Sequence, residues 1–108
     1  MVNQTFKVVW DDEAKASLRS IYNYIKKRES IAQAKVVRDE IKELGKSLGF
    51  MPSKFSKEEF LKEVGGDIRF KSIWSYKIVY EIMKEHVVIL DVFHTSRDPI
   101  NITRLKEK

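Results

Sequence analysis

The residues best placed to do chemistry are cations set at alternate positions in the second half of the chain. Arg69 and Lys71 alternate with Ile68, Phe70 and Ser72, and Lys77 and Glu81 alternate with Tyr76, Ile78, Tyr80 and Ile82. Side chains two apart on a strand share a face. The spacing therefore predicts a sheet face carrying a row of cations, which ends near His94-Thr95-Ser96-Arg97-Asp98-Pro99. Cations framed by apolar residues suit an anionic ligand. Arg69, Lys71 and Lys77 could hold one, with Arg97 beyond the end of the row. His94 could act as a general base or acid, since an unperturbed imidazole titrates at ~6.5. The plainer alternative is a solvated sheet face, with Lys77 paired to Asp91 or Glu81 and His94 hydrogen-bonded to the segment after it.

Other chemistries have less support. The two histidines, His86 and His94, are the only ones, and they fall at opposite ends of one predicted strand. No carboxylate cluster has ligand spacing, so neither a metal nor a cofactor is expected. The absence of cysteine excludes disulfides and thiolate ligands and fits the cytoplasm. Ser96, His94 and Asp98 lack the glycine pattern of a nucleophile elbow, and Gly65-Gly66 lacks that of a phosphate loop. Those two glycines fit a backbone of positive φ ahead of a strand. The formal net charge of +5, from 21 Lys and Arg against 16 Asp and Glu, permits nucleic acid or an acidic protein as partner and specifies neither. Lys26-Lys27-Arg28 reads as a solvated helix end. No apolar run approaches the ~20 residues of a membrane span, and the first ten residues lack the pattern of a signal peptide.

The positioning elements follow from periodicity. Phe6–Trp10 reads as a strand. Asp11 or Asp12 caps a helix whose Ala14, Leu18, Ile21, Tyr22 and Ile25 recur at helical spacing. Ser30 caps a second helix with Ile31, Ala34, Val37, Ile41, Leu44 and Leu48 along one stripe, stopped at Gly49 and Pro52. Residues 50–65 read as a loop with one helical turn at Ser56–Leu61. Strands follow at Ile68–Ser72, Tyr76–Met83 and Val87–His94, with turns at Ile73-Trp74-Ser75 and Lys84-Glu85-His86. The order β-α-α-β-β-β predicts one α+β domain over residues 1–108, in which a mainly antiparallel four-stranded sheet packs against an N-terminal helical hairpin. Pairing Tyr80 with Leu90 would gather Ile78, Tyr80, Ile82, Val88, Leu90 and Val92 under the helices. It would leave Val79, Met83, Ile89 and Phe93 on the second face with the cations and Asp91. That face is too apolar to be merely solvated, so these four residues, with Trp74 in the turn, are the candidate partner-binding set.

The chain resembles the RelE/ParE toxins of bacterial toxin–antitoxin systems. Gly65-Gly66-Asp67-Ile68-Arg69-Phe70-Lys71 is similar to the family's "G…R" strand, and Ser75-Tyr76-Lys77-Ile78-Val79-Tyr80-Glu81-Ile82 to its "Y-R-I-(I/V)-Y-x-(I/V)" strand. Val87 to Pro99 is similar to its closing "I-x-I-L-x-V-x-H-x-x-R-D/x-P", and Ala14, Leu18, Ile21, Tyr24 and Ile25 fit its first helix. The resemblance implies a growth-inhibiting toxin of a type II (plasmid stabilisation) module, silenced by a cognate antitoxin. The RelE-like side would be a metal-independent endoribonuclease acting on messenger RNA, most often at the ribosome. Cleavage of RNA by its own 2′-hydroxyl needs a base, an acid and stabilisation of the charge that develops on phosphorus. On that side of the resemblance Arg69, Lys71 and Lys77 would hold the phosphate, Arg97 would stabilise the developing charge and His94 would carry the proton. The ParE-like side would act on DNA gyrase, a protein target. On the resemblance, Arg69 and Lys71 match the paired strand cations, Lys77 stands where arginine is usual, and Arg97 falls near the arginine of the final exit. The terminal tyrosine of RelE proper has no counterpart, because no tyrosine follows Tyr80. His94 with Arg97-Asp98-Pro99 is closer to the ParE pattern, so the ParE-like reading is preferred. The alternatives are the ribonuclease and a non-catalytic domain that binds antitoxin or nucleic acid on the same fold.

Overall fold

The computed structural model describes residues 5–58 and 65–96. The order is β1 (Lys7–Trp10), α1 (Asp12–Arg28), α2 (Ile31–Ser47), a 3₁₀ turn at Pro52–Lys54, β2 (Asp67–Ile73), β3 (Tyr76–Ile82) and β4 (His86–His94). The strands form one sheet in the order β1-β4-β3-β2. The last three make an antiparallel meander, and β1 closes the other edge parallel to β4. This is the expected α+β architecture, and no helix among the described residues is long and apolar enough to cross a membrane.

Local chemistry explains the helices. Asp11 stands at the first N-cap in extended conformation, with Asp12 and Glu13 in the first turn and Lys26, Lys27 and Arg28 in the last. Both charge sets complement the helix dipole. Ser30 caps α2 by accepting the Gln33 N–H through Oγ at 3.0 Å. Ala14, Ile25, Ala34, Val37, Ile41 and Leu48 are buried with Ile78, Tyr80, Val87, Ile89 and Val92 of the sheet. Ile31 departs from the expected stripe: it is exposed at the start of α2. Past α2 the left-handed residue is Met51, at φ 47°, not Gly49. The helical turn expected at Ser56–Leu61 does not form in its described part, Ser56–Glu58. Lys57 bridges Arg69 in antiparallel fashion, while the rest of that expected turn lies outside the described residues.

Two single-residue details correct the expected faces. The turn between β2 and β3 is the pair Trp74-Ser75, because Ile73 is already opposite Tyr76. A three-residue turn would have set Lys71 opposite Lys77; the shorter one sets Lys71 opposite Ile78 and Arg69 opposite Tyr80. A slip of one residue turns every side chain to the other face. The single row of cations does not form: Arg69 and Lys71 share the helix-side face with Tyr80 and Ile78, and Lys77 lies on the other. The second detail is an irregularity at Val79/Tyr80. Ile78 faces Val92 as expected, but Tyr80 faces Ile89, not Leu90. Such a bulge reverses the facing of the strand beyond it. Ile89 and Val87 therefore enter the helix-side core, and Val88 and Leu90 join Ile68, Val79, Phe93 and Phe70 in a separate cluster on the second face.

Candidate functional site

Segment 52–58 crosses the free edge of β2, and the strand cations hold it there. Ser56 O accepts the Phe70 N–H at 3.0 Å, and the Glu58 N–H donates to Ile68 O at 2.9 Å. These bonds cover an edge that would otherwise offer unpaired backbone. On the helix side, Arg69 Nη1 donates to Ser53 O at 2.9 Å and to Phe55 O at 2.6 Å, while its Nε binds Asp67 Oδ1 at 3.0 Å. Opposite it in the sheet, the fully buried Tyr80 donates its hydroxyl to Pro52 O at 2.6 Å. Burial pushes the Tyr80 phenol up to about 12; Arg69 opposes that rise and Asp67 adds to it. Lys71 is exposed and sets its ammonium 4.9 Å from the centre of the Phe55 ring. On the second face, Lys77 Nζ binds Glu58 Oε2 at 3.1 Å and lies 4.4 Å from the Phe70 ring centre. Glu58 is only 2% exposed, so this is a buried ion pair, unlike the surface pair to Glu81 or Asp91 that the sequence suggested.

His94 sits elsewhere, opposite Tyr76 at the end of β4. Its Nδ1 accepts the Ser96 N–H at 3.1 Å and meets Ser96 Oγ at 2.9 Å; its ring meets Tyr76 edge-on, with centroids 5.9 Å apart. Desolvation, then Tyr24 and Glu29, raise the Tyr76 phenol above its ordinary value. β2 and β4 are two strand spacings apart, about 10 Å. His94 therefore stands well away from Arg69 and Lys71, with Lys77 on the reverse face. The described candidates do not share one face, since Lys77 is turned away from Arg69, Lys71 and His94. Arg97 lies outside the described residues.

The candidate partner set also divides. Val79, Ile89 and Phe93 are buried at 0%, 0% and 3% exposure, so the expected open apolar face is closed. Trp74, at 54%, and Met83, at 37%, remain at the surface. Trp74 also holds φ at 56°, a conformation that costs a bulky residue energy.

Two concave regions flank α1. One, of about 610 Å³, runs from α1 to the end of β4 and is lined by Ser17, Ile21, Tyr24, Tyr76 and His94 among others. The other, of about 480 Å³, lies between α1 and α2. It has Trp10, Leu18 and Tyr22 on its floor and Lys15, Arg19, Arg38 and Lys42 around it. The sequence reading passed over these four cations. Their signal was the repeated four-residue step, Lys15 to Arg19 and Arg38 to Lys42, which puts each pair on one helix face.

The fold is that of a solved structure of the chromosomal ParDE TA system from P. aeruginosa. The two match with a TM-score of 0.72 at 19% sequence identity, over 84% of this chain and 97% of that one. No curated protein matches the sequence at a significant level. The α+β layering, the two-helix hairpin and the closing meander are that fold, and a family model matching most of the chain makes it a toxin of the RelE/ParE superfamily. Within it, the family described as ParE toxin of type II toxin-antitoxin system, parDE, matches residues 8–99, and the chain belongs to that family. Its function is that of a ParE-like toxin, and the ParDE pairing implies an antitoxin as its partner.

Proposed function

We propose that the protein arrests bacterial growth from the cytoplasm by inhibiting DNA gyrase, and that it does so without cutting RNA. The observation that carries this reading is the occupation of two of the three described strand cations, Arg69 and Lys77, while Lys71 stays exposed beside the Phe55 ring. Arg69 is bound to two backbone carbonyls and a carboxylate, and Lys77 to a buried glutamate. A ribonuclease of this superfamily would need such cations, in some members with a histidine or tyrosine, aimed at one scissile phosphate. Here Arg69 and Lys77 act as clamps on the chain's own strap. Membership of the ParE family, in which gyrase is the customary target, supports the same reading.

The test is expression without antitoxin, followed by assays on the purified protein. Growth should stop, gyrase supercoiling should fall with added protein, and messenger RNA should stay intact with and without ribosomes. Codon-phased RNA cleavage in translating ribosomes would overturn the proposal in favour of the ribonuclease. Normal growth with abundant folded protein would leave a domain that only binds.

A further inference from the structure

The α1–α2 cleft joins an apolar floor to a rim of one charge. Lys15 and Arg19 border it from α1, and Arg38 and Lys42 from α2, with no carboxylate among the lining residues. Arg38 is already oriented. Its guanidinium lies 5.0 Å from the centre of the Tyr22 ring, and Asp39 Oδ1 holds its Nε at 3.0 Å. Lys15, Arg19 and Lys42 are exposed. Concave apolar sites with a few fixed polar groups are the usual form of a binding site.

We infer that this cleft docks an acidic segment of a protein partner, with one bulky apolar side chain seated on Trp10, Leu18 and Tyr22 and carboxylates on both sides of it paired to the cations of α1 and α2. The rim charge specifies an anion. The floor argues for a peptide over a nucleic acid. Single strands bind through aromatic faces open to stacking. Here Tyr22 faces Arg38, and the Trp10 indole lies so close to α2 that a Cβ added at Gly45 would meet its Cζ2 at 2.7 Å. Arg38 over Tyr22 and Gly45 of α2 against the Trp10 edge make the two rings part of a mixed floor, better suited to one apolar side chain than to a run of stacked bases. Apolar burial would supply most of the affinity, and the cations register and on-rate. The inference goes beyond the proposed function, which names no docking site, and its assay is read without gyrase.

Trp10 reports on its own cleft. The chain has two tryptophans, so Trp74→Phe leaves Trp10 as the single fluorophore. That protein is titrated with a short peptide of alternating Glu and Leu, with its Gln–Leu analogue and with oligothymidine. The acidic peptide should shift Trp10 emission saturably and the other two should not. In the same background, Arg19→Glu with Lys42→Glu should weaken the peptide by about tenfold or more while far-UV circular dichroism stays unchanged. No response to the acidic peptide, equal response to the Gln–Leu analogue, tighter binding of oligothymidine or unchanged affinity in the charge-reversed variant would each overturn the inference.

Discussion

Two strand cations, Arg69 and Lys77, and the cations of the helical hairpin make opposite use of the same chemistry; Lys71, exposed on its strand, sides with the hairpin. Arg69 and Lys77 look inward along the strap, with side chains 16% and 17% exposed and partners within 3.1 Å. Lys15, Arg19 and Lys42 stand at the surface around a cleft. In the sequence the strand cations are the more conspicuous, because strict alternation inside apolar runs looks designed to receive an anion. The partners decide otherwise. A cation already satisfied by carbonyls or a buried carboxylate has little left for a ligand, whereas a rim of exposed cations over an apolar floor has most of its interaction energy unspent.

That contrast can be broken by mutation, beginning where the effect should be largest. Lys77→Ala leaves the Glu58 carboxylate buried without its ammonium and should cost about 3 kcal/mol in urea unfolding. Lys77→Met combined with Glu58→Gln should recover most of that loss, since neither buried charge remains. Equal loss in the single and double variants would show that packing matters there and the ion pair does not.

Arg69→Ala removes two charge-assisted bonds to the strap and should cost about 2 kcal/mol. Arg69→Lys should recover only part, because an ammonium cannot reproduce the fork that spans Ser53 O and Phe55 O. Full recovery by lysine would mean that charge suffices.

Tyr80 anchors the same strap from beside Arg69, and its test is a pH profile. Its folded pKa of about 12 lies above the ordinary tyrosine value of 10.0. The raised value means that the folded state holds the proton where the unfolded chain has lost it. The tyrosine's contribution is thus complete below pH ~10 and lost as the pH climbs from there to about 12. Tyr80→Phe should lower stability at neutral pH by about 1 kcal/mol, through the lost bond to Pro52 O, and should flatten that alkaline decline. An alkaline limb as steep as in the unaltered protein would assign the decline to other groups.

Much of this architecture is legible in the residues alone. Ser30, Pro52 and the periodicity of both helices mark the hairpin, and the three apolar runs mark the meander. The facing of the strands is not legible, for reasons of a single residue each. Nothing in Ile73-Trp74-Ser75 says that the turn takes two residues, because tryptophan holds a positive φ at a place where glycine is the ordinary signal. Nothing in Leu90-Asp91 announces a bulge opposite Val79 and Tyr80. Those two shifts moved Arg69, Lys71, Ile89, Val88 and Leu90 across the sheet. The strap was illegible for another reason. Its hold depends on Tyr80 and Arg69 reaching carbonyls at least 14 residues away in sequence, a distance over which local pattern carries no information. The cleft was within reach, since helical spacing alone places Lys15 beside Arg19 and Arg38 beside Lys42, and the antiparallel hairpin brings the two pairs together.

The division of labour between the two cation sets is tested most directly by one paired measurement: urea unfolding of Arg69→Ala with Lys77→Ala against Arg19→Ala with Lys42→Ala. The strand pair should lose several kcal/mol, short of the sum of its single losses, because both clamps hold the same strap. The hairpin pair should stay within about 0.5 kcal/mol of the unaltered protein, as exposed substitutions do. A hairpin pair as destabilised as the strand pair, or a strand pair left unchanged, would contradict the account.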